Sequence, residues 1–279
     1  MSLNRIQTVS AILLSVFFLS IGIPTAAAKE MRKPDAESFP ELFQWTDTCN
    51  VYVLRDGDAA LLINLGNGSV LPQLAAMGVA RVEWVVFTDH HRENCQGFER
   101  LDRHVTKVAV PAVERELFET PTEFRKWYPK LGDKYSVYGA SYVRPPRLAV
   151  AVDQALDTDT TFTWRGYELR CLATPGHSPG GMTYLLSTDN RTLAFTGGII
   201  HDGAKMTNWF DTEWDYGFAK GIETLTESIA DVLDRKPDIL LPSQGPVIQD
   251  AQDQLRQYGR KLTPFRERYV RGYPVFDKT

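Results

Sequence analysis

The sequence predicts an α/β fold built from two related halves, on two observations. Apolar segments alternate between strand and helix patterns from residue 50 onward, and the hairpin that opens this run has a counterpart more than a hundred residues later. The first hairpin sets Val51, Tyr52, Val53 and Leu54 against Ala60, Leu61, Leu62 and Ile63 around Asp56-Gly57-Asp58, and ends at Leu65-Gly66. The second sets Thr183 to Leu186 against Leu193, Ala194 and Phe195 around Thr188-Asp189-Asn190, and ends at Gly197-Gly198. Gly, Asp and Asn tolerate the backbone that tight turns demand, so both segments read as paired strands.

The elements between and after these hairpins follow from periodicity. Val70 to Met77 reads as a short helix, Val82 to Phe87 as a buried strand, and Val105 to Val110 as a strand closed by Pro111. Residues 112–135 carry a helical pattern rich in Glu, Arg and aromatic residues, and 136–150 form a Tyr- and Pro-containing connector. The stretch 112–150 is therefore a helical insert, either a lid over a site or an amphipathic decoration. Ile222, Leu225, Ile229, Val232 and Leu233 fall on one face of a helix, Ile239 to Leu241 forms a strand, and Gln254 to Tyr269 the last helix.

Composition bounds the function. The 279 residues hold 31 Lys and Arg against 35 Asp and Glu, a formal net charge of −4, which argues against nucleic acid as a partner. Hydrophobic residues at 43% exclude disorder, and the lack of repetitive Gly or Pro excludes a collagen-like chain. Arg5, the apolar run from Val9 to Ile23 and the small residues Ala26, Ala27 and Ala28 read as a secretory signal peptide, residues 1–28, cleaved after Ala28. The run is too short for a stable membrane span, so the protein is expected to be exported, periplasmic or secreted, with residues 29–279 as one domain. Cys49, Cys95 and Cys171 show no short C-x-x-C spacing; one disulfide with a free thiol, or three unpaired cysteines, both fit. Oligomeric state has no signature in the sequence.

The residues able to carry chemistry follow strands. Val82 to Phe87 runs into Thr88-Asp89-His90-His91-Arg92-Glu93-Asn94-Cys95, where an extended backbone would place Asp89, His91 and Glu93 on one side. Leu169 to Leu172 runs into Thr174-Pro175-Gly176-His177-Ser178-Pro179-Gly180-Gly181, a stiff loop centred on one His. His90 and His104 have no partner motif and read as structural, and Trp209, Phe210, Trp214 and Tyr216 as packing or a pocket wall.

Thr174 to Gly180 matches the T-P-G-H-[ST]-P-G loop of the metallo-β-lactamase superfamily, and Phe195-Thr196-Gly197-Gly198 resembles its F-T-G-D. With Leu62-Ile63-Asn64-Leu65-Gly66 and Leu241-Pro242-Ser243-Gln244-Gly245 in the same order, the resemblance spans nearly all of residues 29–279. It implies a four-layer αβ/βα sandwich, a small-molecule substrate and a two-metal site fed by an H-x-H-x-D-H run. Carried across by position, Asp89 stands for the first His, His91 keeps the second, Glu93 stands for the Asp and Asn94 for the last His. His177 keeps the later His, Gly198 replaces the bridging Asp, Gln244 replaces the final His, and Asn64 replaces a turn Asp.

Two imidazoles and a carboxylate at Asp89, His91 and His177 form a ligand set for one zinc ion, or for iron, with open positions for water or substrate. The second position retains Glu93 and the amides of Asn94 and Gln244, too little charge to hold a divalent ion. The resemblance thus implies a one-metal hydrolase of esters, thioesters, lactams or phosphoesters, with Glu93 as the catalytic base and Asn94, Ser178 and Gln244 binding substrate. The family's single-iron dioxygenases need the acid that Gly198 replaces, and His201 with Asp202 reads more readily as a surface loop pair than as a substitute. The competing expectation is an exported module that binds a ligand or partner without metal or turnover, its pocket lined by Asn94, Gln244, Arg92, Ser178 and Ser243.

Overall fold

The computed structural model describes residues 30–126, 145–205 and 218–272. The signal-peptide expectation for residues 1–28, the aromatic cluster from Trp209 to Tyr216 and the middle of the insert lie outside these residues.

Strands β1 (Leu42–Thr46), β2 (Asn50–Asp56), β3 (Ala59–Ile63), β4 (Arg81–Val86), β5 (Lys107–Pro111) and β6 (Gln154–Leu156) form one sheet in chain order. The first three are antiparallel, and β3 to β6 run parallel. Strands β7 (Thr161–Trp164), β8 (Tyr167–Ala173), β9 (Met182–Ser187), β10 (Thr192–Gly197) and β11 (Ile239–Pro242) form the second sheet in the order β11-β10-β9-β8-β7, with β10 and β11 parallel. The helices are α1 (Leu71–Ala76), α2 (Arg92–Cys95), α3 (Arg115–Glu119), α4 (Phe218–Asp234) and α5 (Ala251–Gly272).

The period-two alternation of the strands divides the interior into three apolar layers. Tyr52, Leu54, Leu61 and Ile63 from the first sheet meet Leu169, Tyr184, Leu186, Phe195 and Leu241 from the second. Their chain neighbours Val51, Val53, Ala60 and Leu62 turn outward to pack with Leu74 of α1 and Phe118 of α3. On the other side Leu172, Leu185, Ala194 and Leu240 meet Leu225, Ile229 and Val232 of α4 and Leu255 and Leu262 of α5. Three cores between layers give helix, sheet, sheet, helix, the four-layer sandwich that the sequence predicts.

Both predicted hairpins form. The sequence reading passes over three strands: β1 buries Gln44 among its apolar residues, β6 has three residues, and β7 alternates exposed and buried residues but is a four-residue edge strand. Where 112–135 predicts continuous helix, the described part is broken into a 3-10 turn (Ala112–Glu114), α3 and a second 3-10 turn (Pro121–Lys126). Pro121 has no amide hydrogen to extend a helix beyond Thr120. All three cysteines are free and buried, and only Cys171 lies in a strand.

Parallel strands share their C-terminal ends, and there the chain leaves β3, β4, β5, β10 and β11 into loops that meet along one edge of the sandwich. Met182 N–H donates to Thr88 O, and Asn50 donates to Pro242 O and Gly245 O, tying the two sheets together at that edge.

Candidate metal centre

After β4 the chain runs Thr88-Asp89-His90-His91 before α2 begins. Asn64, at the end of β3, adopts a left-handed backbone with φ of 59°, a conformation Asn accepts more readily than most residues. Its Oδ1 accepts a hydrogen bond from the Thr88 N–H at 3.1 Å, fixing the start of the loop.

Asp89 is buried and fully oriented. Oδ1 accepts the His91 N–H at 3.0 Å and the Asn94 Nδ2–H at 2.7 Å, while Oδ2 accepts the Thr88 hydroxyl at 3.1 Å. The backbone then turns helical at Arg92, so the extended geometry that would align Glu93 with Asp89 and His91 does not hold. Glu93 sits half-buried in the first turn of α2 and outside the cluster formed by the other three.

His177 comes from the loop between β8 and β9. Gly176 has φ of +127°, and a Cβ there would lie 2.6 Å from Leu225 Cα of α4, so only glycine lets loop and helix meet. The Ser228 hydroxyl, also from α4, donates to Pro175 O at 2.7 Å, and the Thr174 N–H donates to Gly181 O at 2.7 Å, closing the loop. The loop so locked brings His177 Nε2 to 2.9 Å from His91 Nδ1, and His91 Nδ1 lies 3.4 Å from Asp89 Oδ1. One ligand atom from each of Asp89, His91 and His177 falls within 4.8 Å of the others, the one such His/Cys/Asp/Glu group among the described residues.

Two of the three separations are close to what one small cation needs. Zinc bonds of about 2.0–2.1 Å in a tetrahedral set separate ligand atoms by about 3.3 Å. The 2.9 and 3.4 Å separations bracket that edge. The position of the bridging acid, by contrast, is filled: a Cβ on Gly198 would lie 2.3 Å from both Cδ2 and Nε2 of His177. The imidazole rests on the glycine, in the space a side chain would need.

The remaining sequence-predicted residues serve the loops. Asn94 holds Asp89 and through its carbonyl accepts the Leu65 and Gly66 N–H groups. Gln244 Nε2 donates to Thr48 O, and the Thr48 hydroxyl donates to Glu93 O. Ser178 is fully buried, and its carbonyl accepts the Gly176 and Gly181 N–H groups. The Asp202 carboxylate accepts from Gln254 of α5, and His201 pairs by its backbone with Lys205; neither joins the cluster. Burial pushes the Cys49 and Cys95 thiols up, with the charges of Asp47, Asp89 and Glu93 adding to it, which disfavours thiolate ligation beside the cluster.

The reading by sequence passes over Glu114, which follows β5 and has no solvent exposure. Its Oε2 accepts the His90 N–H at 2.6 Å and lies 3.0 Å from His90 Nδ1, and its Oε1 accepts the Gly180 N–H at 2.9 Å. Burial alone would raise the carboxyl, but the charge and hydrogen bonds of His90, with Ser178 and His91 beyond, outweigh it and hold Glu114 below the usual carboxylate range.

A sandwich of two sheets with a histidine and carboxylate cluster at the strand ends defines a protein of the metallo-β-lactamase fold. Solved structures bear this out. A metallo-beta-lactamase family protein from Thermus thermophilus matches with a TM-score of 0.61 at 17% identity, over 81% of this chain and 80% of that one. The subclass B3 metallo-beta-lactamase BJP-1 of Bradyrhizobium japonicum matches at 0.59 and 18%, over 84% and 92%. A Cronobacter sakazakii metallo-beta-lactamase described by a HARLDQ motif matches at 0.59 and 17%, over 85% and 97%. No protein-family model matches the chain.

Proposed function

We propose that the protein is a hydrolase that uses one metal ion, zinc or alternatively iron, held by Asp89, His91 and His177. The observation that carries this is the convergence of the three ligand atoms, two imidazole and one carboxylate, within 4.8 Å at the edge where the strands end. The contact of His177 with Gly198 supports a single ion, since no side chain can bridge from that position while the imidazole stays.

When bound, the ion would supply Lewis acidity and bring a water towards a pKa of about 7. The chain's own contribution is orientation. Thr88, Asn94 and the His91 N–H fix the carboxylate of Asp89, and the Gly176 turn and Gly198 fix the imidazole of His177. Glu93, half-buried two residues past His91, is proposed as the base that takes the water proton, and the half-buried Gln244 as a group that meets an ester, thioester, lactam or phosphoester, while Asn94 acts from behind by holding Asp89. On the same reading the chain is exported and its mature form starts at Lys29. No helix among the described residues is long and apolar enough to cross a membrane.

One observation favours a second reading. Asp89 already accepts two hydrogen bonds on Oδ1, and His91 and His177 lie within hydrogen-bonding distance of each other, so the cluster can close without an ion as a binding module would need. Element analysis after loading with excess zinc decides between them. One equivalent in the wild type, lost in Asp89→Ala and His177→Ala, together with turnover of a panel of the four substrate classes, supports the hydrolase. Absence of stoichiometric metal refutes it and leaves the binding module.

A further inference from the structure

Two loops supply the proposed ligands, and they are far apart in sequence: Asp89 and His91 lie on one, His177 on the other. Each ligand is held locally within its own loop. Something must also fix the distance between the loops, because the imidazoles belong to different sheets.

One side chain spans them. Glu114 arrives from a third strand end, after β5, and places one carboxylate oxygen on each loop: Oε2 on the N–H of His90, between Asp89 and His91, and Oε1 on the N–H of Gly180, three residues beyond His177. The fit is close. A Cβ on Gly180 would lie 2.6 Å from Glu114 Cγ and 2.8 Å from Val113 Cβ, so the loop reaches the carboxylate only because residue 180 has no side chain. A buried carboxylate is costly unless every oxygen is paired, and here two backbone donors and the His90 ring meet it. The group is used as an acceptor on both sides, which an amide of the same shape cannot be: one of its two ends would turn an N–H toward an N–H.

We propose that Glu114 is a positioning residue that sets the separation of the His91 and His177 imidazoles, and through it the metal affinity of the centre. Its hydrogen bonds go to His90 and Gly180 and not to the His91 or His177 ring, so it would act through the loops. The part concerning affinity rests on the single-metal reading; the part concerning separation does not.

The test therefore uses two readouts on the full-length mature protein. Zinc affinity is measured by competition with a chromophoric chelator, and the contact between the His91 and His177 rings by nitrogen-to-nitrogen coupling across their hydrogen bond in the metal-free protein labelled with 15N histidine. Glu114→Gln is expected to remain folded by circular dichroism, to lose the coupling, and to bind zinc about 10- to 100-fold more weakly, the range for residues that orient a ligand from behind. A merely structural role would lower the melting temperature and leave the coupling of the folded protein in place; that result, with wild-type zinc affinity, overturns the proposal. Should the wild type bind no zinc, the hydrolase reading fails by itself, and the coupling alone decides here: lost in Glu114→Gln, it supports the positioning role, and kept, it refutes it. If Glu114→Gln does not fold, Glu114→Asp replaces it, keeping the charge beside His90 while shortening the reach to Gly180. Unchanged coupling and affinity in that variant likewise overturn the proposal.

Discussion

On the proposed reading, Gly198→Ala should remove most of the metal affinity without replacing a ligand residue. The new Cβ would stand 2.3 Å from Cδ2 and Nε2 of His177 and 2.8 Å from its Cε1. Carbon atoms settle at about 3.5–4.0 Å, so the ring must retreat by more than about 1 Å. Metal sites tolerate errors of about 0.2 Å in ligand distance, so a ring displaced that far no longer completes the set. Disturbing groups behind a ligand already costs about 10- to 100-fold in affinity, and displacing the ligand itself should cost at least the upper end of that range. Overpacking of this kind lowers stability by about 1–3 kcal/mol, so the variant should still fold. The assay is chelator competition with zinc, beside thermal unfolding of both proteins in the metal-free state. Gly198→Asp should behave in the same way and fail to gain a second ion, although it restores the acid of the family pattern. Unchanged zinc affinity in Gly198→Ala would mean that the ring does not hold this pose when loaded, and the argument for a single ion would go with it.

Two further predictions concern the frame around the site. Glu83 on β4 accepts Arg165 Nε and Nη2, Trp164 Nε1 and Arg81 Nε, and the Arg165 hydrogen bonds, followed by those of Trp164 and Arg81, lower its carboxyl against the pull of burial from 4.5 to about 2. A lowered carboxyl stabilises the fold above the unfolded value and loses that contribution as pH falls from about 4.5 to about 2. The shift alone corresponds to about 3 kcal/mol. Because the side chain is 26% exposed, solvent screening reduces it to roughly 1 kcal/mol, and urea titrations followed by tryptophan fluorescence should show this slope in the wild type and not in Glu83→Gln. Tyr184→Phe removes the 2.6 Å hydrogen bond from the buried hydroxyl to Phe87 O, the residue before Thr88, and should cost about 1–3 kcal/mol in chemical denaturation; no loss would mean that another donor serves that carbonyl.

Much of this was legible in the sequence because it is local. Turn residues mark both hairpins, strand alternation marks the inner and outer faces, and the loops after β4 and β8 carry their histidines within a few residues of the strand ends. Glu93 shows where locality fails: the expected alternation assumes an extended backbone, but His91 caps a short helix and the period changes beneath it. Glu114 shows the other limit. Its partners lie 24 and 66 residues away, and nothing within a helical pattern rich in Glu distinguishes the one acid that folds inward to meet them.

The departures from the family's ligand pattern are consistent with one another once their hydrogen bonds are known. An amide at residue 94 donates to Asp89, an amide at 64 accepts from the Thr88 N–H, and an amide at 244 donates to the loop that braces Glu93 through Thr48. Gly198 makes room for the imidazole of His177. The pairing is incomplete: among the described residues the buried Asn94 Oδ1 meets no hydrogen-bond donor. On the proposed single-ion reading, Asn94 and Gln244 brace the loops around that ion. On that reading, restoring a single family residue such as the acid at 198 should disturb the site and not repair it, because the His177 ring already fills that space.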